Sequence, residues 1–322
     1  MAIFWLTTYG CFSVCIYGYA YADATHKHVT VAAMVYGNHN VVTFDGFKAG
    51  MKEKGYIEGK NIAYIFEGAY KKKEKLDAGI EKLVAENPDL IFTATTPATL
   101  AAKKATSKKK IPVVFGPVND PVRAGIIDVL HQPGDNITGV MLTDSTAKQL
   151  EWVTRVVPDI KNVFLPYNPL DKSSLISYKK VKAAAQLFKI NLTTMKVHSH
   201  NEIDSLLENF PDNMNSIFLP RDGMIMSRVK DFAKVAQKKK LALSGTRLEM
   251  AEKGALFGFG FNGFELGKQM SRLADQVLHG IDPGKLPVET AEDYLAINLK
   301  AARKMGITIP ERILRQAHII IR

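Results

Sequence analysis

From His28 onward, apolar positions fall into two patterns that take turns along the chain. Dense short runs at 28–36, 61–66, 90–94, 113–115 and 136–143 are apolar on consecutive residues, as strands buried on both faces of a parallel sheet are. Between them, apolar residues recur at three- and four-residue spacing: Phe44, Phe47 and Met51 within 44–54, then Leu76, Ile80, Leu83 and Val84 within 76–85. That spacing lays one face of a helix on a sheet, and Gly55 stops the first of these helices. Residues 123–130 read as a further helix, and 146–157 as another, ended by Pro158. The alternation then restarts, with strands at 162–166, 191–197, 216–219 and 241–244 and helices at 173–188, 202–210 and 225–239. Strand–helix alternation at this spacing predicts an α/β protein of two doubly wound parallel-sheet lobes with right-handed crossovers. The junction near 143–160 has no Ser/Gly-rich linker, so the lobes are expected to be joined by structured crossings.

The loops after these strands repeat one design. Thr96-Pro97 follows one strand and Asp120-Pro121 the next. Thr and Asp are good N-caps, and proline suits the first helical turn because its missing N–H had no intrahelical partner. Each such helix should aim free N–H groups and its positive end into the loop above the sheet, the edge where open α/β sheets bind ligands. The second half offers Tyr167-Asn168-Pro169, Pro220-Arg221-Asp222-Gly223 and Gly245-Thr246-Arg247 at equivalent places. The same residue types serve as ordinary caps and turns. Their repetition in two lobes predicts a cleft between facing sheet edges, the usual place for a small ligand.

Composition narrows this further. With 322 residues, 46% of them hydrophobic, two domains are expected rather than one. Residues 2–22 carry no charged side chain and end Ala20-Tyr21-Ala22, which reads as a secretory leader with its cleavage site. The segment lacks the usual early Lys or Arg, and a retained membrane anchor is the alternative. Both cysteines, Cys11 and Cys15, lie in it, so a chain cut after Ala22 has no thiol for a disulfide or for catalysis. The formal charge of +11 is spread over separate lysine runs at 71–73, 103–104, 108–110 and 238–240. With no recognition motif and no interleaved aromatics, these read as solvated faces, not a nucleic-acid surface.

Several stretches together then point to a family. Phe47 with Gly55-Tyr56, Gly59 and Asn61, Thr96-Pro97-Ala98, Asp120-Pro121-Val122, Asn136-Ile137-Thr138-Gly139, Leu286-Pro287-Val288-Glu289, Ile297-Asn298-Leu299-Lys300 and Gly306-Ile307-Thr308-Ile309-Pro310 resemble, in order and spacing, the substrate-binding proteins of ABC transporters that include tryptophan- and tyrosine-type members. The resemblance covers roughly Val31 to Arg322. It implies a type I periplasmic-binding-protein fold: two lobes, three crossovers as a hinge, and closure over a ligand in the interlobe cleft. It also implies that the N-terminal lobe, 28–143, takes back a later segment, expected at 255–286, with the C-terminal lobe made of 144–254 and 287–322.

Other chemistry finds less support. Gly258-Phe259-Gly260-Phe261-Asn262-Gly263 matches a dinucleotide fingerprint, but the alternating phenylalanines put its first two glycines inside a strand. His198-Ser199-His200 lacks further ligands at metal-site spacing. No hydrolase, metalloprotease or P-loop signature occurs, and a transcription factor would need a helix-turn-helix that residues 1–28 are too apolar and short to supply. The candidate site is therefore drawn from loop positions. Thr95 and Thr96 suit a carboxylate; Val118, Asn119 and Asp120 form the neighbouring loop, with Asp120 capping its own helix. Tyr36, a stacking lid, and Asn38 follow the first strand. Tyr167 and Asn168 face the cleft by analogy with the family. Asp222 is the candidate for an ammonium group, with Arg221 turned outward or paired with it, and Thr246 and Arg247 complete the rim. The expectation is an exported, monomeric receptor that binds a zwitterion or carboxylate such as an amino acid, works with an ABC permease and needs no metal or cofactor. The alternatives are a receptor feeding a sensor protein and, without positive support, an enzyme.

Overall fold

The computed structural model describes residues 28–322 apart from Lys71, so the leader, its cleavage site and both cysteines lie outside the described residues. The chain runs β1 (Val29–Val35), α1 (Val41–Glu53), β2 (Ile62–Ile65), α2 (Leu76–Ala85), β3 (Leu90–Ala94), α3 (Thr96–Thr106), β4 (Val113–Val118) and β5 (Ile137–Met141). It continues α4 (Thr146–Val156), β6 (Asn162–Tyr167), α5 (Lys172–Leu187), β7 (Asn191–Lys196), α6 (His200–Glu208), β8 (Ser216–Leu219), α7 (Gly223–Ser227), α8 (Val229–Lys239), β9 (Ala242–Gly245), α9 (Glu249–Glu252) and β10 (Phe257–Phe261). Then come α10 (Gly263–Leu278), β11 (Glu289–Thr290), β12 (Asp293–Asn298), α11 (Leu299–Met305), α12 (Glu311–Leu314) and β13 (Ile319–Ile321).

Two sheets result, ordered β11-β5-β4-β3-β1-β2 and β13-β12-β10-β9-β8-β6-β7. The first is parallel throughout; in the second, β12 runs antiparallel to β10. The consecutive apolar residues of β1 divide between two cores by the period of two. Val31, Ala33 and Val35 meet Phe44, Phe47, Phe92 and Met270 on one face, while Ala32 and Met34 meet Leu76, Ile80, Ile91 and Phe115 on the other. The second lobe packs around Val163, Leu165, Ile217, Leu243, Phe257 and Leu295. No helix of the described residues is long and apolar enough to cross a membrane.

The chain crosses between lobes after β5, between β10 and α10, and between β11 and β12. Here the structure departs from the 255–286 expectation. Phe257–Phe261 pair with β9 and β12, so this strand belongs to the second sheet, with Gly258 so close to the Arg247 carbonyl that a Cβ would sit 2.3 Å from it. The return begins instead with α10, which packs against α1 through glycines. A Cβ on Gly46 would lie 1.9 Å from the Phe264 carbonyl oxygen, one on Gly267 2.0 Å from that of Thr43, and one on Gly50 2.2 Å from Ser271 Oγ. The first lobe also keeps β11, beyond 286, before the last crossing. The first and last crossings touch, Ser145 Oγ donating to Asp293 Oδ2 at 2.6 Å.

One expected helix is absent. Residues 123–130 form turns: Asp120 caps them, its Oδ1 accepting from Arg123 N at 2.9 Å, but the chain reverses at Gly125, φ +71°, before a second helical turn can form.

Candidate functional site

The carboxyl ends of β1, β3, β4, β8 and β9 open onto a cleft of about 820 Å³ between the lobes. Tyr36, Thr95, Thr96, Pro97 and Asn119 line it from the first lobe, and Arg221, Asp222, Met226, Thr246 and Arg247 from the second. Phe261 and Leu142, next to the crossings, form part of the wall. A further space of about 350 Å³ shares Asn40, Thr246, Arg247 and Phe261 with the cleft and extends it toward Asn262 and Ile319.

Three buried polar atoms lining this cleft have no hydrogen-bond partner among the described residues: Thr95 Oγ1 from the first lobe, and Asp222 Oδ2 and Thr246 Oγ1 from the second. Asp222 is 2% exposed; it caps α7, its Oδ1 accepting from Ile225 N at 2.8 Å, which leaves Oδ2 for something in the cleft. Thr246, also 2% exposed, follows directly on β9, and its carbonyl accepts from Gln149 Nε2 at 3.3 Å. Thr95 stands at the N-cap of α3, a place expected for Thr96, yet its hydroxyl makes no cap hydrogen bond. Its backbone has φ +88° and ψ 157°, a region that a β-branched residue occupies only under strain. Leaving a buried polar group unsatisfied costs about 1–3 kcal/mol each, and the concentration of three such atoms on the two sides of one cleft is that of a surface shaped for a polar guest.

Arg221 was expected outward or paired with Asp222, and it does neither. Asp222 N donates to the Pro220 carbonyl at 2.9 Å, a tight turn that brings both side chains to the cleft. The Arg221 guanidinium is half-buried and makes no hydrogen bond or ion pair among the described residues. Burial, and then the nearby Arg247 cation, push it below the usual arginine range, against the pull of Asp144 and Asp293. Arg247 itself leans on Glu249 at 3.6 Å.

Five expected site residues lie elsewhere. Tyr167, the last residue of β6, points to its own helix and stacks on Tyr178 of α5, centroids 4.1 Å apart and planes 9° off parallel. Asn168 shapes the following turn, its Oδ1 accepting from Leu170 N at 3.0 Å, and this loop reaches the cleft through Asp171 and Ser173 instead. Val118 is buried in the core with Phe115 and Met34. Asp120 is committed to its turn, and Asn38 is exposed off the cleft. Asn40, two residues on, is a site residue that no local pattern marks: its buried Nδ2 donates to the Tyr36 carbonyl at 2.8 Å and fixes the Tyr36 loop. Phe261 is another, a strand residue by pattern that also lines the cleft. Its place at the end of β10, beside a crossing, was the available signal. His198 Nδ1 meets Glu202 Oε2 at 3.0 Å, and among the described residues no group of three or more metal-ligating side chains gathers.

Known proteins share the sequence pattern and the fold. Over 248 residues, 77% of this chain and 71% of the relative, the sequence is 29% identical to a tyrosine-binding protein of Clostridioides difficile (strain R20291). The crystal structure of an ABC domain in complex with L-Trp from Streptococcus pneumonia superposes with a TM-score of 0.71 at 26% identity, covering 92% of this chain and 100% of that one. A ligand-free, open substrate-binding protein with adhesive properties from Clostridium difficile shares the fold, with a TM-score of 0.80 at 24% identity over 92% of this chain and 99% of that one. The sequence profile of the family described as ABC transporter substrate binding protein matches residues 28–321, and the chain therefore belongs to that family.

Proposed function

We propose that the protein is the extracytoplasmic receptor of an ABC importer, closing its lobes over a single small zwitterion, an aromatic amino acid, and presenting the closed form to its permease. The observation that carries this reading is the set of three polar atoms without a partner among the described residues, Thr95 Oγ1 from the first lobe and Asp222 Oδ2 and Thr246 Oγ1 from the second, lining one cleft. Asp222 Oδ2 takes the ammonium group, as a desolvated carboxylate with one oxygen already held in place. The N-terminus of α3 with the Thr95 hydroxyl takes the carboxylate, where backbone N–H groups and the helix dipole favour negative charge. Tyr36 and Phe261, both half-buried, offer flat surfaces to an aromatic side chain. Contacts made to both lobes are what bias such a protein toward its closed form. Relatives named for tyrosine and crystallised with L-Trp support the aromatic class.

Isothermal titration against the twenty amino acids tests this, with thermal melting as the screen: a ligand at about 100 times its Kd stabilises the folded state by about 2.7 kcal/mol. Asp222→Asn keeps the capping oxygen and removes the charge. It is expected to weaken amine-bearing ligands by about tenfold to a hundredfold, the worth of a charge-assisted hydrogen bond. An Asp222→Asn protein that binds its amino acid as tightly as the parent would rule out the ammonium role.

A further inference from the structure

Arg221 is a cation without a partner among the described residues, in the wall of a cleft that holds further positive charge. Arg247 lies close enough to oppose it, and Lys253 lines the same wall. Across the gap stands the N-terminus of α3, whose first-turn N–H groups are the positive end of an eleven-residue helix. Two of the three carboxylates that line this cleft are held elsewhere. Asp171 caps α5, accepting from Ser174 N at 2.7 Å, and Glu249 leans on Arg247. The two acids that bear on Arg221, Asp144 and Asp293, are held by Lys180 at 2.6 Å and by Ser145 at 2.6 Å. Asp222, next in sequence, makes no hydrogen bond or ion pair to Arg221 among the described residues; its Oδ1 accepts from Ile225 N at 2.8 Å, and its Oδ2 is the atom assigned to the ammonium group.

We propose that Arg221 gates closure: its unpaired guanidinium, set against Arg247 and the α3 N-terminus, opposes closing of the empty cleft and is relieved by the anionic group of the ligand. The inference rests on the reading that the lobes close over an ammonium–carboxylate compound. Closing expels water, and a cation stripped of water with no counter-charge is expensive. Repulsion between Arg221, Arg247 and the helix end grows at the same time, since the effective dielectric falls. A carboxylate entering between the lobes reverses each of these terms and joins Arg221 on one lobe to α3 on the other. The same residue then sets specificity: a decarboxylated analogue satisfies Asp222 but leaves the gate shut.

The test uses Arg221→Met, which keeps the apolar stem, and Arg221→Lys, which keeps the charge, each checked for a cooperative thermal melt. Small-angle X-ray scattering of the ligand-free proteins reads the gate. Arg221→Met is expected to shrink in radius of gyration toward the ligand-bound parent, while Arg221→Lys stays as open as the parent. Calorimetry with L-tyrosine, L-tryptophan, tyramine and tryptamine reads specificity. The parent is expected to prefer each amino acid over its amine, and Arg221→Met to lose about tenfold to a hundredfold of that preference. A ligand-free Arg221→Met protein as open as the parent, or one that keeps the full preference, overturns the proposal. If the parent binds none of the four compounds, the zwitterion reading fails, and the gate is judged on the ligand-free scattering, which needs no ligand.

Discussion

Thr95 holds a backbone conformation that suits glycine, with φ +88° and ψ 157°, at the point where β3 turns into α3. Such strain costs about 1–3 kcal/mol and persists where a side chain is needed in a place the chain would otherwise avoid. Thr95→Gly should therefore raise stability by about 1 kcal/mol, relief of strain less the greater entropy loss of glycine. It should also weaken ligand binding by removing Oγ1 from the cleft wall. Chemical denaturation with titration of the same sample checks both, and a lower unfolding midpoint would contradict the strain. The residue scale is also where the sequence was hardest to read. Thr95, Asp222 and Thr246 could be placed at strand ends from local pattern, because caps and strand ends have local causes. Which way a side chain leaves a strand end is decided by its neighbours. Tyr167 goes to Tyr178, Val118 goes into the core, and Arg221 is turned inward by a backbone hydrogen bond, none of which local spacing encodes.

At the scale of elements, the seam between α1 and α10 is the least expected feature. Gly46 and Gly50 on one helix, and Gly267 with Ser271 on the other, let two backbones approach within contact. In the sequence these glycines sit inside helical patterns, where they cost helix propensity and give no sign of which distant segment they admit. The seam is what holds the late-returning helix to the first lobe. A methyl group at Gly46 or Gly267 meets a carbonyl oxygen, which cannot rotate away as a side chain would. Gly46→Ala and Gly267→Ala should each destabilise the protein by at least the 1–3 kcal/mol or so of ordinary overpacking. The double substitution should cost less than the sum, since the first already parts the helices; urea unfolding of the three variants measures this. The strands and most helices were legible because burial on both faces imposes dense apolar runs and burial on one face a helical stripe. The missing helix at 123–130 shows the limit: Ile126 and Ile127 are buried as a helical stripe would be, but Gly125 takes a left-handed conformation and the segment folds as turns.

For the whole molecule, two-lobed architecture followed from alternation, whereas the points where the chain changes lobes did not. Phe257–Phe261 reads equally well as a strand of either sheet, and only pairing with β9 and β12 decides. The crossings carry their own electrostatic tie. Asp144, just before α4, accepts from Lys180 Nζ at 2.6 Å and from the Thr146 hydroxyl at 2.9 Å. Partial burial raises its carboxyl, but these bonds more than offset that and hold it below the usual carboxylate range. A depressed carboxylate adds stability above its unfolded pKa and loses it as pH falls through the folded value. The tie should thus be intact at neutral pH and fade below about pH 4, and Asp144→Asn should show a shallower loss of melting temperature with acid than the parent. An acid limb of equal steepness in both proteins would remove Asp144 from the account.

Asn262 alone separates β10 from α10, and its side chain is already spent on the Phe264 and Glu265 amides. Residues 142–145 and 291–292 are the other two links, each only a few residues long. If the lobes close as proposed, three short links side by side act like the pivot of a nutcracker, with travel small there and widening toward the outer lips. Jaws of that kind gauge girth. Guests with identical end groups but different thickness would stop them at different angles, and a partner able to feel that angle could refuse a cargo that the pocket itself accepts.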